Sequence, residues 1–98
     1  MINPSDIQTT QWGIINQLNR ILPLGQSCSA TPADTPGMYI IDIGDNLLPP
    51  VAVNGPALYN WIKTQQGGAT QTYAALVSML RIKAVKQGRM LRQAELPL

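Results

Sequence analysis

One cysteine and no histidine in 98 residues deny this chain the two devices that most often hold small domains together, a disulfide and a zinc site. Cys28 has no partner for an internal bridge, and a metal site would have to be built from it and five acids. A domain of this length removes at best about 65% of the surface its unfolded chain exposes. Its stability must therefore come from apolar burial or from association with a partner.

Charge narrows the choice further. Asp, Glu, Lys and Arg make up 12% of the residues, against about 25% in an ordinary soluble domain. Glutamine, asparagine, threonine, serine, proline and glycine must cover the surface instead. Such a surface resists self-association poorly, which suits one subunit of a packed assembly better than a free monomer. The net charge of +2 conceals an asymmetry. Residues 1–62 set Asp6, Asp34, Asp42 and Asp45 against Arg20, a net −3. Residues 63–98 set Lys63, Arg81, Lys83, Lys86, Arg89 and Arg92 against Glu95, a net +5. No secretory signal is expected, because the first ten residues hold neither a basic residue nor a long apolar run. No stretch approaches the ~20 apolar residues of a membrane-spanning helix, and a lone cysteine fits a reducing cytosol.

The pattern of residues predicts one small domain over 1–98, mainly α with a small β-hairpin, in the order α-β-β-α-α. Asn3-Pro4-Ser5-Asp6 has the chemistry of a helix start. At about 100° per residue, Ile7, Ile14, Ile15, Leu18, Ile21 and Leu22 then fall on one arc. The opposite arc holds Thr9, Asn16, Gln17 and Arg20. Trp12 lies off the apolar arc, either as a partly buried packing residue or as an interface anchor. Pro23 and Gly25 end the helix. Residues 26–37 show no apolar period and contain two prolines, so a long Pro/Thr loop or interaction arm is expected there.

Met38-Tyr39-Ile40-Ile41-Asp42-Ile43 is the strongest strand candidate, with Tyr39, Ile41 and Ile43 on one face. Gly44-Asp45-Asn46 supplies a turn, and residues 47–53 return as a second strand with Val51 and Val53 sharing a face. Pro49 and Pro50 confine that strand to an edge or make it begin after them. An isolated hairpin is marginal in water, so helices or a neighbour's sheet must hold it. Asn54-Gly55-Pro56 opens a second, short helix over about 56–65, with Leu58, Trp61 and Ile62 inward. After Gly67-Gly68 a long basic helix runs from about residue 69 towards Glu95. Tyr73, Val77, Leu80, Ala84 and Leu91 form its apolar stripe, with Arg81, Lys83, Lys86, Arg89 and Arg92 on the other side. Gly88 either kinks this helix or caps its end.

Catalytic chemistry finds little to work with. Without histidine there is no Ser-His or Cys-His pair. A Ser–Lys-type pair would have only Lys63 beside Thr64. Asp42 and Asp45 are the one close pair of carboxylates, and glycine, Asp and Asn together are what any tight turn uses. Gly67-Gly68-Ala69-Thr70 before a helix is a weak form of an anion-binding helix start. It lacks the Lys-Ser/Thr of a nucleotide loop, so a helix-breaking hinge is the preferred reading. No catalytic residue, metal or cofactor is expected.

These features point to a non-enzymatic structural subunit of a large assembly. In its sharper form this is a small virion protein of a bacteriophage, decorating a capsid or connecting head to tail. Its partners would be copies of itself and other proteins of the particle, assembled in the host cytoplasm. Trp12, Asn16, Gln17, Tyr39, Pro49 and Pro50 are the candidate contacts. The alternative is a small nucleic-acid-binding or regulatory protein that uses the basic surface of Arg81, Lys83, Lys86, Arg89 and Arg92. Against it stand the small net charge, the absence of an aromatic after Tyr73, and the lack of any reader motif.

Overall fold

The computed structural model describes residues 11–89, in which three helices cover one face of a three-stranded antiparallel sheet. The elements run α1 (Gln11–Asn19), β1 (Ser29–Pro32), β2 (Met38–Asp42), β3 (Val51–Asn54), α2 (Gly55–Lys63) and α3 (Ala69–Lys86). The helix-start signals at residues 3–6, together with Ile7 and Thr9, lie outside the described residues. So do Leu91, Arg92 and Glu95.

The expected hairpin is present, and it has gained a strand. β2 and β3 pair with Tyr39 opposite Val53 and Ile41 opposite Val51. Tyr39, Ile41, Val51 and Val53 are all buried, as is Ile43 just beyond β2. Alternate residues Met38, Ile40 and Ala52 are half-buried on the other face, the in-and-out rhythm of an antiparallel sheet covered on one side. β3 begins directly after Pro50, so neither proline removes a ladder bond within it.

β1 corrects the reading of residues 26–37 as a loop throughout. Ser29–Pro32 pairs with β2 in antiparallel register, Ala30 facing Ile41 and Pro32 facing Tyr39. Its one inward residue is Ala30, too small to mark a face in the sequence. Pro32 is tolerated for a geometric reason. The Ala33 N–H donates to the Met38 carbonyl at 2.9 Å, which in an alternating antiparallel ladder turns the backbone of Pro32 and Ala30 to the free edge.

One core joins the sheet to all three helices. α1 contributes Ile14 and Leu18, α2 Leu58 and Ile62, and α3 Leu76, Leu80 and Ala84. Gly55 lets α2 start against the sheet, since a Cβ there would stand 2.6 Å from the Tyr39 ring and 2.8 Å from the Ile14 side chain. Asn54 caps the same helix by accepting from the Ala57 amide at 2.9 Å. Burying a Leu- or Ile-sized side chain is worth about 1.5–3 kcal/mol, so this shared core is the main term holding the described fold together.

α3 is rotated and shortened relative to expectation. Its innermost residues are Thr72, Leu76, Leu80 and Ala84, while Tyr73 and Val77 sit half-buried on the flank. A threonine at a core position, rather than an aliphatic residue, displaced the predicted stripe. The helix stops at Lys86 instead of continuing towards Glu95. Gly88 has φ +71 and closes the end: its N–H donates to the Val85 carbonyl at 3.1 Å and the Arg89 N–H to Ala84 at 2.8 Å. That pair of bonds is a Schellman turn. Gly88 is thus a cap and not a kink.

Candidate interaction surface

The first question for a charge-poor surface is where its amides go. Three glutamines bond across the chain, two of them to backbone that a sheet normally leaves open. The Gln11 Nε2 donates to the Ala30 carbonyl at 2.8 Å, on the free edge of β1. On the free edge of β3, the Gln87 Nε2 donates to the Ala52 carbonyl at 2.7 Å, and the Ala52 N–H donates back to Gln87 Oε1 at 3.0 Å. Gln26 donates to the Ile43 carbonyl at 2.6 Å and to the Tyr73 hydroxyl at 2.8 Å, tying the segment after α1 to β2 and α3. Beyond Ala52, Asn54 is engaged as the cap of α2, and Pro50 has no N–H to offer. The β3 edge is consequently closed to strand addition, the liability that unpaired edges otherwise carry. The sheet finds its third strand and its edge partners within the chain, so it does not call for a neighbour's sheet.

The predicted contact residues separate into two groups. Trp12 is 66% exposed on α1, and Asn16, one turn on, is exposed beside it. Gln17 is half-buried, Pro49 half-buried and Pro50 exposed. Tyr39 is a correction: at 7% exposure it belongs to the core, with its ring over Gly55. Its position opposite Val53, on the face that the helices cover, removes it from any outer surface. Sequence reasoning did not single out Leu24, Leu47 and Ile82, all exposed apolar residues. Leu47 was read as part of a strand, yet it lies in the turn before Leu48, which is the residue that turns inward.

The basic residues do not form one stripe. Arg81, Lys86 and Arg89 are exposed and Lys83 is half-buried, while Arg92 lies outside the described residues. Five helical positions separate Arg81 from Lys86, which at about 100° per residue puts them roughly 140° apart around the axis. Lys83 lines an apolar cleft of about 190 Å³ with Trp61 and Met79 between α2 and α3. A continuous phosphate backbone would meet these charges on different sides of the helix.

The other chemical candidates resolve into structural roles. Asp42 Oδ1 accepts from the Gly44 N–H and Asp45 Oδ1 from the Leu47 N–H, each at 2.8 Å, so both carboxylates shape their turn. Gly44 needs its φ of +77, and a Cβ there would collide with the Ser27 carbonyl. The Thr64 hydroxyl donates to the Asn60 and Trp61 carbonyls, ending α2 and turning away from any nucleophilic role. The Lys63 ammonium lies 5.7 Å from the centroid of the Tyr59 ring. Burial pushes the Cys28 thiol above its usual pKa, partly offset by a backbone hydrogen bond and reinforced by Asp42. A raised pKa is the opposite of what a reactive thiolate requires. Among the described residues, no helix is long and apolar enough to cross a membrane and no cluster of three His, Cys, Asp or Glu could hold a metal.

Comparison with protein-family models, with curated proteins and with solved structures gives no match.

Proposed function

We propose that this chain is a non-catalytic subunit of a larger protein assembly, acting through contacts between subunits. The observation that carries the reading is the outer face of α1. Its exposed positions are Gln11, Trp12, Asn16 and Asn19, and the nine residues of the helix contain no charge. Gln11 is engaged with Ala30 and Asn19 with Cys28, so the exposed amide beside Trp12 is that of Asn16. A large exposed aromatic in an uncharged setting is what the centres of interfaces favour. The low overall charge supports the same reading.

In its narrower form the protein is a small virion component of a bacteriophage, in capsid decoration or head-to-tail connection, assembled in the host cytoplasm. The support for this form is compositional: surfaces poor in charge are at ease where most of them are covered. The sheet edges do not add to it, since glutamines of the same chain meet them.

Light scattering on the intact chain tests the proposal. The expected result is a mass well above the 10.6 kDa of one chain. Trp12→Ala should return the protein to monomers with little change in thermal midpoint, because an exposed side chain contributes little to the core. A monomer at all concentrations would overturn the reading, as would a monomer or dimer that binds duplex DNA in a salt-dependent manner.

A further inference from the structure

Four large apolar residues stand exposed among those described, Trp12, Leu24, Leu47 and Ile82, and they differ in the charge beside them. Trp12 lies on a helix without charge. Leu24 sits between Pro23 and Gly25, and Ile82 between Arg81 and Lys83. Leu47 is held beside a carboxylate, because Asp45 Oδ1 accepts the Leu47 N–H at 2.8 Å. At 76% exposure it forms an apolar knob on an acidic turn, whose start Asp42 shapes through the Gly44 amide.

The cleft between α2 and α3 has the complementary character. It measures about 190 Å³ and is lined by Val53, Leu58, Trp61 and Met79, with Lys83 as its one charged residue and no Asp or Glu. Asn54 also reaches it, but its side chain is engaged with the Ala57 amide. A dry apolar cavity of roughly 150 Å³ holds a benzene ring, so a leucine side chain fits here. Knob and cleft lie at opposite ends of β3. Leu47 precedes the strand, beyond the pairing of Ile41 with Val51, while Val53 and Asn54 stand at its far end, where Asn54 pairs with Met38. The turn therefore leaves the cleft of its own chain unfilled, and Leu47 stays exposed to meet that of a neighbour.

We propose that the Leu47 turn of one copy docks in the cleft between α2 and α3 of a second copy. The leucine side chain fills the apolar space beside Trp61 and Met79, and the Asp45 carboxylate meets Lys83. Charge selects this occupant. Ile82 would bring Arg81 against Lys83, and neither Trp12 nor Leu24 brings a carboxylate. The two surfaces differ, so the contact is heterologous and repeats from copy to copy into a ring or a filament. The acidic part of one chain thus meets the basic part of the next. This inference rests on the assembly reading, to which it gives a direction, but it uses no residue of α1. One leucine and one partly exposed ion pair make a weak contact, with a dissociation constant on the order of 1 mM. It orders copies that the Trp12 face has already gathered.

Complementation between two variants of the full chain tests the contact. Leu47→Asp removes the knob and keeps the cleft, whereas Lys83→Glu keeps the knob and turns the cleft against it. Both carry Trp12→Ala, so that the α1 face does not contribute. Isotope-labelled Leu47→Asp protein should show saturable amide shifts at residues 53–61 and 79–83 as unlabelled Lys83→Glu protein is added past about 1 mM. Ala57→Gln fills the cleft from an exposed position on α2, and as the unlabelled partner it should give the same shifts as Lys83→Glu. Unlabelled Leu47→Asp protein, which has no knob to offer, should give none. Absence of shifts with both knob-bearing partners would overturn the proposal, as would equal shifts with the knobless one. Cleft shifts with isovalerate but with neither partner would assign the cleft to a small apolar carboxylate instead. Shifts confined to residues 11–19 would overturn the docking and leave the assembly reading standing, which the mass of the chain with Trp12 intact decides separately.

Discussion

The two ends of α3 are finished in opposite ways. At its C-terminal end every available device is used: Gly88 takes the left-handed conformation, two amides turn back onto Val85 and Ala84, and Gln87 pairs with both backbone groups of Ala52. At its N-terminal end none is used: the cap is a glycine, no side chain bonds to the first amides and no acid offsets the dipole. One end is fastened to the sheet and the other faces a cavity with two cations. Helix termini leave the same number of unpaired groups at each end, so the contrast lies in the residues supplied and not in the helix. It teaches that the fold does not depend on closing the N-terminal end, and that those amides are left available.

The largest effect should come from the middle of the helix, where the two ends share a dependence. Leu76 is fully buried, and Leu76→Ala should cost about 2–5 kcal/mol through lost burial and the cavity left behind. Urea denaturation should register this as a lower midpoint with an unchanged slope. A smaller, local effect is expected at the fastened end. Gly88→Ala meets no steric neighbour, so its cost is the left-handed backbone alone, about 1–2 kcal/mol. Gln87→Ala removes three exposed hydrogen bonds, two with Ala52 and one from Arg89, and should cost about 1 kcal/mol. In both variants hydrogen exchange should quicken at the Ala52 amide while the amides of residues 69–71 exchange as before. Equal loss of protection at both ends would break the contrast, because it would mean that α3 responds as one unit.

Much of this arrangement could be read from the sequence, and the remainder escaped for identifiable reasons. Tyr39, Ile41 and Ile43, and then Val51 and Val53, recur at every second position of short β-branched and aromatic runs, so β2 and β3 announced their inner faces. Asn54-Gly55-Pro56 carried a helix start in three residues. β1 did not announce itself, because Ser29-Ala30-Thr31-Pro32 holds no side chain large enough to mark a face. The phase of α3 was obscured by Thr72, a polar residue at a core position, which also lines the cavity. Neither glutamine clamp was legible: Gln11 bonds to a residue 19 positions away and Gln87 to one 35 positions away. Nothing local distinguishes these amides from Asn16, which stays exposed on α1. A residue type seen in abundance shows that a surface is polar, and only the fold shows which of those polar groups are already taken.

The smallest predicted effect bears most directly on the open end. Gly68→Asp places an acceptor at the N-cap, where aspartate satisfies an amide and complements the dipole. Glycine is itself a tolerable cap, and the position is open to a side chain, so the gain in stability should be only a few tenths of a kcal/mol. The amides of residues 69–71 should then exchange more slowly while the Ala52 amide exchanges as before, the reverse of the pattern expected for Gly88→Ala. Unchanged exchange at residues 69–71 in Gly68→Asp would show that the N-terminal end of α3 is already closed, and the contrast between the two ends would fail.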